Sequence, residues 1–460
     1  MAKNYRVERD VIGKVKVPSS AYYGSETERA LGNFRISGIV LQEEFLRNYV
    51  ALKKCAAVAN FRSGKLDKKR KDAILKSCDF ILKGNLMDQF VVDVFQAGGG
   101  TSTNMNVNEV IANKAIELLG GRKGNYSIVH PNDHVNMSQS SNDTFPTAMN
   151  ISVFAALGDL IKSLKELERE LGRKKDEFRS IIKPGRTHLQ DAVPIRMGEE
   201  FRGYEGEVGN AIRALELSRM LLLKLPIGGT AVGTGLNAGS KYRKYMIEEL
   251  CREFGAEFRP SPNIFTEMQS RMDELNVSDS LVEAAIALGK ISNDIRLLSS
   301  GPNSGIGELV LPAVQPGSSI MPGKINPSIP EMLNMICFQV IGNGTVVREA
   351  ASAGQLEINV FEPVIIFNIL FSIRILEAGS RTFARKAIHG LRADRKKIAE
   401  YLEMDPSIAT ALSPYIGYGK AAKIARKAYR EKRRVIDVCL ELGILDRKTL
   451  EEVLDPAKQA

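Results

Sequence analysis

The chain has few of the residues that commonly bind metals or form disulfides. Its 460 residues include only four histidines and five cysteines. The cysteines are Cys55, Cys78, Cys251, Cys337 and Cys439. They are widely spaced, odd in number and never arranged as Cys-x-x-Cys. This distribution argues against a disulfide framework or a zinc site and favours reduced thiols in a cytoplasmic protein.

A secretory leader and a membrane span are also missing from the pattern. The N-terminal stretch MAKNYRVERDVIGK lacks the apolar core of a signal peptide. The most apolar run, Val364 to Leu376, contains Asn368, Ser372 and Arg374 and is too short to cross a bilayer. We therefore expect this run to form a buried core helix and the protein to have no membrane partner.

The charge is biased to one sign, with 64 Lys and Arg against 54 Asp and Glu, which gives a formal net charge of +10. Nucleic-acid binding is one interpretation of this bias. The most basic stretch, Lys420 to Arg434, is interrupted by apolar residues at helical spacing, which is typical of a solvated helix face. We therefore expect no nucleic-acid partner, and the positive balance suits a small anionic substrate.

Apolar residues recur at helical spacing over most of the chain. After Pro146 they form one continuous stripe at Met149, Val153, Leu157, Leu160, Leu164, Leu167 and Leu171. Similar patterns cover residues 41–118, 195–225, 266–298, 329–353 and 362–387. Long helices in series bury their stripes best against one another, so the pattern predicts a mainly α-helical bundle.

The length predicts two or three domains, and the shorter, more charged helices after about Leu391 indicate a small separate one, so we expect the following three. Residues 1–140 form an N-terminal domain, residues 141–390 the central helical bundle and residues 391–460 a small C-terminal helical domain. The helix that begins at Glu362 is apolar nearly all round, which places it at the bundle centre or at a contact between subunits.

One connection is unusually long and rich in turn residues. Residues 301–330 contain five glycines and six prolines, and they include the segment GSSIMPGKINP. That segment carries Ser318, Ser319, Lys324 and Asn326. A structureless connection of this length in a compact domain is usually functional, although a purely structural connector is the alternative.

Three further polar clusters flank predicted helices. They are GGGTSTNMN with Thr101, HPNDHVNMSQSSND with Ser140, Ser141 and Asn142, and GRTHLQDAVP with Thr187 and His188. Their side chains are hydrogen-bond donors suited to carboxylates or phosphates. The alternatives are an ordinary glycine-rich turn for the first cluster, helix N-capping for the second and a structural histidine for the third. The chain has no nucleotide-binding loop, zinc motif or GxSxG elbow, so the residues favour acid–base chemistry on a small anion.

These blocks resemble the signature segments of the aspartase/fumarase superfamily of lyases. The similar segments are GSSIMPGKINP, GGGTSTNMNVNEVIANKA, HVNMSQSSNDTFPTAM, GRTHLQDAVPIRMGEEF, GGTAVGTGLN and GQLEINVFEPVI. The resemblance covers essentially the whole chain. It implies a mainly α three-domain subunit and a homotetramer with a twenty-helix core, in which each active site takes residues from three subunits. It implies no required cofactor; magnesium activates some aspartases, but no ligand set for it is visible in the sequence.

The resemblance also implies the chemistry, an anti elimination that gives fumarate through an enediolate. Ser318 would be the base, acting as an alkoxide on a mobile loop. A free serine is a very poor base at neutral pH, so its pKa must be lowered, for which backbone N–H groups and the Lys324 cation are suitable. The negative charge of the enediolate is best stabilised by preorganised donors.

The remaining roles carry over from the family residue by residue. The carboxylate next to the abstracted proton would be bound by Thr101, Ser140, Ser141 and Ser319. The other carboxylate would be bound by Lys324 and Asn326 with Thr187 beside it. Asn142 and His188 would lie near the leaving group, and Glu331 would orient His188 as the carboxylate of a histidine–carboxylate pair.

The segments divide between the ammonia-releasing aspartase branch and the class II fumarase branch, which adds or removes water. GGGTSTNMN, LQDAVPIRMGEEF and CFQVIGN resemble aspartases, as do Gln355 and Glu362, where fumarases more often have Asn and Lys. The SSND at Ser140 to Asp143 is the fumarase form. We expect L-aspartate ammonia-lyase activity, with fumarate hydratase as the alternative. A structural protein without activity is a third possibility, although every expected site residue is present.

Overall fold

The computed structural model describes residues 4–460, and the expected mainly α-helical fold is confirmed. The chain divides into two compact units. The first unit contains the described residues up to Ile161, Arg213–Glu283 and Gln339–Ile375. The second contains Lys162–Ile212, Ala284–Phe338 and Leu376–Ala460. The division into three domains at residues 140 and 390 stays a prediction.

Helices of very different length follow one another along the chain. The first eight are α1 (Ser25–Asn33), α2 (Glu43–Arg62), α3 (Lys68–Leu82), α4 (Thr101–Leu118), α5 (Ser141–Phe178), α6 (Met197–Leu221), α7 (Ser240–Phe254) and α8 (Ile264–Gln269). Three long helices come next, α9 (Met272–Leu298), α10 (Ser328–Ser352) and α11 (Glu362–Phe383). The C-terminal helices are α12 (Arg395–Met404), α13 (Ser413–Ile416), α14 (Tyr418–Glu431), α15 (Val435–Glu441), α16 (Arg447–Val453) and α17 (Pro456–Gln459).

The strands are short and pair two by two. They are β1 (Tyr5–Arg9), β2 (Lys14–Pro18), β3 (Ile182–Thr187), β4 (Gln190–Arg196), β5 (Lys224–Leu225), β6 (Arg259–Pro260), β7 (Leu309–Val310) and β8 (Arg392–Ala393). The pairs β1–β2, β3–β4 and β7–β8 are antiparallel, and β5–β6 is parallel.

The apolar stripe of α5 is confirmed, because all seven of its predicted residues are fully buried. The helix begins at Ser141, five residues before Pro146. By length and composition α5 and the segment Glu362–Ile388 could each cross a membrane, but 72% and 61% of their most apolar windows are buried inside the structure. The prediction that the run from Val364 to Leu376 is a buried core helix is therefore confirmed within α11.

Two predictions of helix extent are wrong. The helix expected from Ile195 begins only at Met197, because Ile195 and Arg196 pair with β3 as the end of strand β4. The helix expected over residues 266–298 is broken, since α8 ends at Gln269 and α9 begins at Met272. Helix α7 and the β3–β4 hairpin are additional elements that the apolar pattern did not predict.

Polar side chains join the long helices inside each unit. In the first unit Asn343 of α10 donates to Ser372 of α11, and Arg219 of α6 donates to a carbonyl of α5. In the second unit Tyr204 of α6 donates to Asp294 of α9, and Ser292 of α9 bonds Asn334 of α10. Hydrogen bonds of this kind satisfy polar groups that helix packing removes from water.

Candidate active site

Two helix N-termini of the first unit meet at a group of hydroxyls. Thr101 is the first residue of α4, and Ser141 is the first residue of α5. Their Oγ atoms lie 3.2 Å apart, and the Oγ of Ser140 accepts the N–H of Asn142. We call Thr101, Ser140 and Ser141 the hydroxyl cluster. The dipoles of two helices that begin here, together with their hydroxyls, make this point favourable for an anion.

A glycine turn brings Thr101 to this position. Gly99 and Gly100 have φ angles of +64° and +67°, which side chains rarely adopt. A Cβ on Gly100 would lie 2.0 Å from the ring of Phe145, which is fully buried on α5. The start of α4 can therefore approach α5 this closely only if residue 100 is glycine.

Asp143 holds the other side of the hydroxyl cluster. Its buried carboxylate accepts the N–H groups of Ser140, Gly228 and Thr230 at 2.9 to 3.0 Å. Beside it, the Asn142 amide donates to the carbonyl of Ala231. Burial raises the pKa of Asp143 to about 6, while the backbone donors act in the opposite direction. The carboxylate thus ties the glycine-rich loop after residue 228 to the first turn of α5.

The hydroxyl cluster opens into a cleft of about 510 Å³ within the first unit. The cleft is lined mostly by polar residues, which include Thr101, Asn104, Asn136, Gln139, Ser140, Ser141 and Thr230 as well as the acids Glu26 and Asp133. This volume and lining suit a small anion, since hydroxyl and amide donors can bind carboxylate oxygens from several directions.

Lys53 lies behind the wall of this cleft and was not predicted as a site residue. It is fully buried on α2, and its ammonium donates to Asn104 at 2.6 Å, Asn136 at 2.8 Å and Gln139 at 3.0 Å. A signal was present in the sequence, because Lys53 interrupts the apolar stripe that contains Tyr49 and the alanines that follow. A lysine at a buried helical position is rare and usually has specific partners.

The loop that carries Ser318 belongs to the second unit. The Oγ of Ser318 accepts the N–H groups of Ile320 at 3.2 Å and Met321 at 3.0 Å. Donors aimed at this oxygen stabilise its deprotonated form, which is what a serine base requires. The expectation that residues 301–330 are a long irregular connection is confirmed, since β7 and the first residues of α10 are its only regular elements.

Hydrogen bonds join the two ends of this loop to each other. The N–H of Gly317 donates to the carbonyl of Lys324, and the amide of Asn326 donates to the carbonyl of Gly317, both at 2.8 Å. A Cβ on Gly317 would lie 2.6 Å from the same Lys324 carbonyl, so a larger residue does not fit. Ser319 and Lys324 are exposed on the loop surface.

Thr187 and His188 lie at the tip of the β3–β4 hairpin in the second unit. His188 and Leu189 have φ angles of +56° and +60°, which is the left-handed region at both central positions of a tight turn. Glycine or asparagine is the usual choice at such positions, so this turn is strained. Thr187 and His188 are both exposed to solvent at this turn.

A buried carboxylate anchors the same hairpin. Glu308 is fully buried and forms ion pairs with Lys183 at 2.6 Å and with Arg186 at 2.7 Å. Lys183 also contacts Glu200 at 3.1 Å. Because Lys183 and Arg186 belong to β3, Glu308 fixes the strand that ends at Thr187.

The predicted site residues thus fall into separate groups in the structure. Thr101, Ser140, Ser141 and Asn142 lie together in the first unit. Ser318, Ser319, Lys324 and Asn326 share one loop of the second unit. No hydrogen bond joins His188 to Glu331 in the described part of the chain, so the proposed orientation of His188 by Glu331 stays a prediction.

His130 and His134, which are four positions apart, each use a ring nitrogen to accept backbone N–H groups. The Nδ1 of His134 accepts the N–H of His130, and the Nδ1 of His130 accepts the N–H groups of Asn132 and Asp133. Both rings therefore cap the short helical turn Pro131–Val135. Over residues 4–460, no group of three or more His, Cys, Asp or Glu side chains is arranged to hold a metal ion.

Comparisons with known proteins agree with these features. A family model described as Lyase matches residues 13–342, and a model described as Fumarase C C-terminus matches residues 408–458. An aspartate ammonia-lyase of a Bacillus species is 44% identical over 456 residues, which cover 99% of this chain and 97% of the relative.

Two further relatives have the same level of identity. A class II fumarate hydratase of Helicobacter pylori is 44% identical over 456 residues, covering 99% of this chain and 98% of the relative. A solved structure from Brucella melitensis, described as a fumarate lyase:delta crystallin bound to cobalt, has a TM-score of 0.95 at 44% identity, over 99% of each chain. Identity alone therefore does not separate the ammonia-releasing activity from the hydratase activity.

Proposed function

The chain belongs to the lyase family that includes aspartate ammonia-lyases and class II fumarate hydratases, and we propose that it eliminates ammonia from L-aspartate to give fumarate. The observation that carries the proposal is the setting of Glu362. This residue is fully buried, and its carboxylate lies 3.6 Å from Arg271, which is also buried. Arg271 also forms an ion pair with the buried Glu274 at 3.0 Å. Lysine, which fumarases more often have at position 362, would add a second buried cation beside this pair, so the residues around position 362 support the aspartase branch.

In the proposed mechanism the hydroxyl cluster binds the substrate carboxylate next to the proton that is removed. Ser318 takes that proton as an alkoxide, and Ser319 donates to the same carboxylate. The extra negative charge of the enediolate then develops against hydroxyls and helix N-termini that are already in place, so little reorganisation is needed.

Further residues bind the other end of the substrate. Lys324 and Asn326 hold the distal carboxylate with Thr187 beside it, and Asn142 and His188 lie near the departing ammonia. Glu331 orients His188 through its ring nitrogen. The loop from Gly317 to Pro327 closes over the substrate and excludes water, which strengthens these interactions.

Fumarate hydratase activity is the second candidate. The Ser-Ser-Asn-Asp at Ser140 to Asp143 is the form found in fumarases, and the Helicobacter pylori fumarate hydratase matches as well as the aspartate ammonia-lyase does. Ser141 keeps the hydroxyl of the threonine that aspartases more often have here. The binding of the substrate carboxylate should therefore be the same for either reaction.

We propose a homotetramer in which each active site takes residues from three subunits. Exposed apolar side chains on α10 support an interface there: Met335 is 63% and Phe338 66% exposed, and they lie one turn apart on the same face. Burial of such a face by other subunits would remove this apolar surface from water. Light scattering after size-exclusion chromatography would give the mass that decides the oligomeric state.

We further propose that the enzyme is cytoplasmic and that it needs no cofactor. The test of the activity is fumarate consumption with and without ammonium ions. An aspartate ammonia-lyase consumes fumarate only when ammonium is supplied, and L-aspartate accumulates. Consumption of fumarate in ammonium-free buffer, with L-malate as the product, would establish the fumarase alternative instead.

A further inference from the structure

Lys53 differs from the other buried lysines of the described chain. Three lysines in residues 4–460 are buried, namely Lys53, Lys174 and Lys183. Lys174 pairs with Glu177 at 2.8 Å, and Lys183 pairs with Glu308 at 2.6 Å. Within the same described residues Lys53 has no such ion pair, and its three partners are neutral amide oxygens.

These three oxygens match the charged form of the side chain. An ammonium has three N–H donors, whereas a neutral amine has two donors and one lone pair. With Asn104, Asn136 and Gln139 all presenting oxygens, the neutral amine would face one of them with its lone pair. Hydrogen bonding therefore favours the cation, while full burial disfavours it, and burial lowers the pKa of Lys53 to about 7.

Few other charged groups lie near Lys53, although Glu26, whose pKa is raised by burial, and Asp133 line the same cleft as its three amide partners. Asp143 on α5 is the nearby acid, and its carboxylate is already engaged by three backbone N–H groups. Cys78 on α3 and Tyr49 on α2 are buried, and burial raises the pKa of both, which keeps them neutral. The remaining partners, Asn104 of α4 and the two amides before α5, carry no charge.

An anion bound in the cleft can supply the negative charge that Lys53 lacks as an ion-pair partner. Asn104, Asn136 and Gln139 line the cleft that contains the hydroxyl cluster, so a single layer of side chains separates Lys53 from a bound anion. Inside a protein such a charge pair interacts much more strongly than it does in water. A dianion held at the hydroxyl cluster would therefore favour the ammonium form of Lys53.

We propose that Lys53 is a positioning residue that takes up a proton from solvent when a dicarboxylate binds at the hydroxyl cluster. The neutral amine becomes an ammonium, and the bound ligand supplies the compensating charge. The ammonium then fixes the orientation of the three amides behind Thr101, Ser140 and Ser141. This inference rests on the proposed function only in taking a dicarboxylate as the ligand.

The experiment is calorimetric titration of the whole enzyme with succinate, a dicarboxylate that has no leaving group. Titrations in two buffers of different ionisation enthalpy give the number of protons taken up per site. For the wild-type enzyme we expect net uptake that approaches one proton as the pH rises above 7. The succinate Kd should weaken by about tenfold per pH unit in the same range, because binding and protonation are linked.

Two variants are titrated in parallel. Lys53→Met has a similar length and no charge, and it should bind succinate about 10- to 100-fold more weakly at pH values below 7, with no uptake assigned to residue 53. Lys53→Arg stays charged at all these pH values, and it should bind succinate without proton uptake. The residue at position 53 is never charged in Lys53→Met and always charged in Lys53→Arg. Either variant therefore tests the proposal by itself, provided that circular dichroism shows it to be folded.

Controls separate Lys53 from its neighbours. Lys54→Met removes the adjacent lysine of α2, which forms ion pairs with Asp79 and Glu253, and should leave the uptake unchanged. His188→Gln tests the histidine of the proposed site and should also retain the uptake. The proposal is overturned if the wild type takes up no protons, or if Lys53→Met or Lys53→Arg takes up as many as the wild type. Its failure is distinct from failure of the proposed activity, since succinate binding requires neither ammonia nor water as a leaving group.

Discussion

The Oγ atoms of Thr101 and Ser141 lie 3.2 Å apart although forty positions separate the two residues in the chain. Each hydroxyl stands at the first residue of a long helix, α4 or α5. The contact therefore joins two helix N-termini at one point, which gives the proposed carboxylate site its directional donors. Thr101 also donates to the carbonyl of Gly98, so the glycine turn and the hydroxyl cluster form one structural unit.

The contact between these hydroxyls predicts non-additive effects of mutation. Thr101→Val and Ser141→Ala should each lower kcat/KM by about 10- to 100-fold, since each removes a donor to a charged carboxylate. The double variant should lose less than the product of the two, by a coupling of about 0.5–3 kcal/mol. Steady-state kinetics of the four proteins give this coupling, and strictly additive losses would show that the two hydroxyls act separately.

Ser318→Ala should remove turnover and leave binding in place. A general base contributes about 10²- to 10⁴-fold, so we expect kcat to fall by that factor while the Kd for succinate changes little. Ser304→Ala, in the same long connection but outside the loop from Gly317 to Pro327, is a suitable control and should retain activity. Wild-type activity in Ser318→Ala would assign the base to another residue, and a wild type without turnover would favour the structural-protein alternative.

Glu308→Gln should destabilise the second unit. The change keeps the shape of the side chain but leaves Lys183 and Arg186 without their buried carboxylate, and breaking such a pair costs about 3–5 kcal/mol. The matched control is Glu199→Gln, which breaks an exposed pair with Arg202 and should cost less than about 1 kcal/mol. Urea denaturation measures both, and equal midpoints for the two variants would contradict the anchoring role of Glu308.

The raised pKa of Glu362 predicts how the free energy of unfolding depends on pH. Burial raises the pKa of this carboxyl from 4.5 to about 8, with Arg271 acting in the opposite direction. Between these two pH values the native state keeps a proton that the unfolded state releases. The contribution of Glu362 to stability is therefore complete below its unfolded pKa and is lost as the pH rises toward its folded pKa.

Glu362→Gln removes this titration while keeping the size of the side chain. Relative to the variant, the wild type should lose at most about 1.4 kcal/mol of unfolding free energy per pH unit between about pH 4.5 and pH 8. Denaturant midpoints measured at intervals across this range provide the comparison. Parallel curves for the two proteins would mean that Glu362 is ionised in the native state.

Local sequence signals predicted much of the fold correctly. The stripe of α5 and the extents of α10 and α11 follow from helical spacing, and the irregular connection before α10 follows from its glycines and prolines. The β3–β4 hairpin was missed because Pro184, Gly185 and Pro194 lie inside its strands, where such residues usually indicate turns. A register shift between Pro184 and Gly185 accommodates them.

The parts of the site that the sequence did not reveal depend on contacts between distant residues. Lys53 and Asn104 are separated by 51 positions and Glu308 and Arg186 by 122, so no local pattern links them. The hydroxyls of Thr101, Ser140 and Ser141 could be predicted because helix starts and family segments both indicate them. Buried charges are best identified once the packing around them is known.

The most direct test of the central claim is fumarate formation from L-aspartate and from L-malate, followed in parallel by ultraviolet absorbance. The proposed activity predicts a signal from L-aspartate alone, with ammonia released in equal amount. A signal from L-malate alone would contradict it and would make the protein a fumarate hydratase, in which Gln355 and Glu362 do not determine the leaving group.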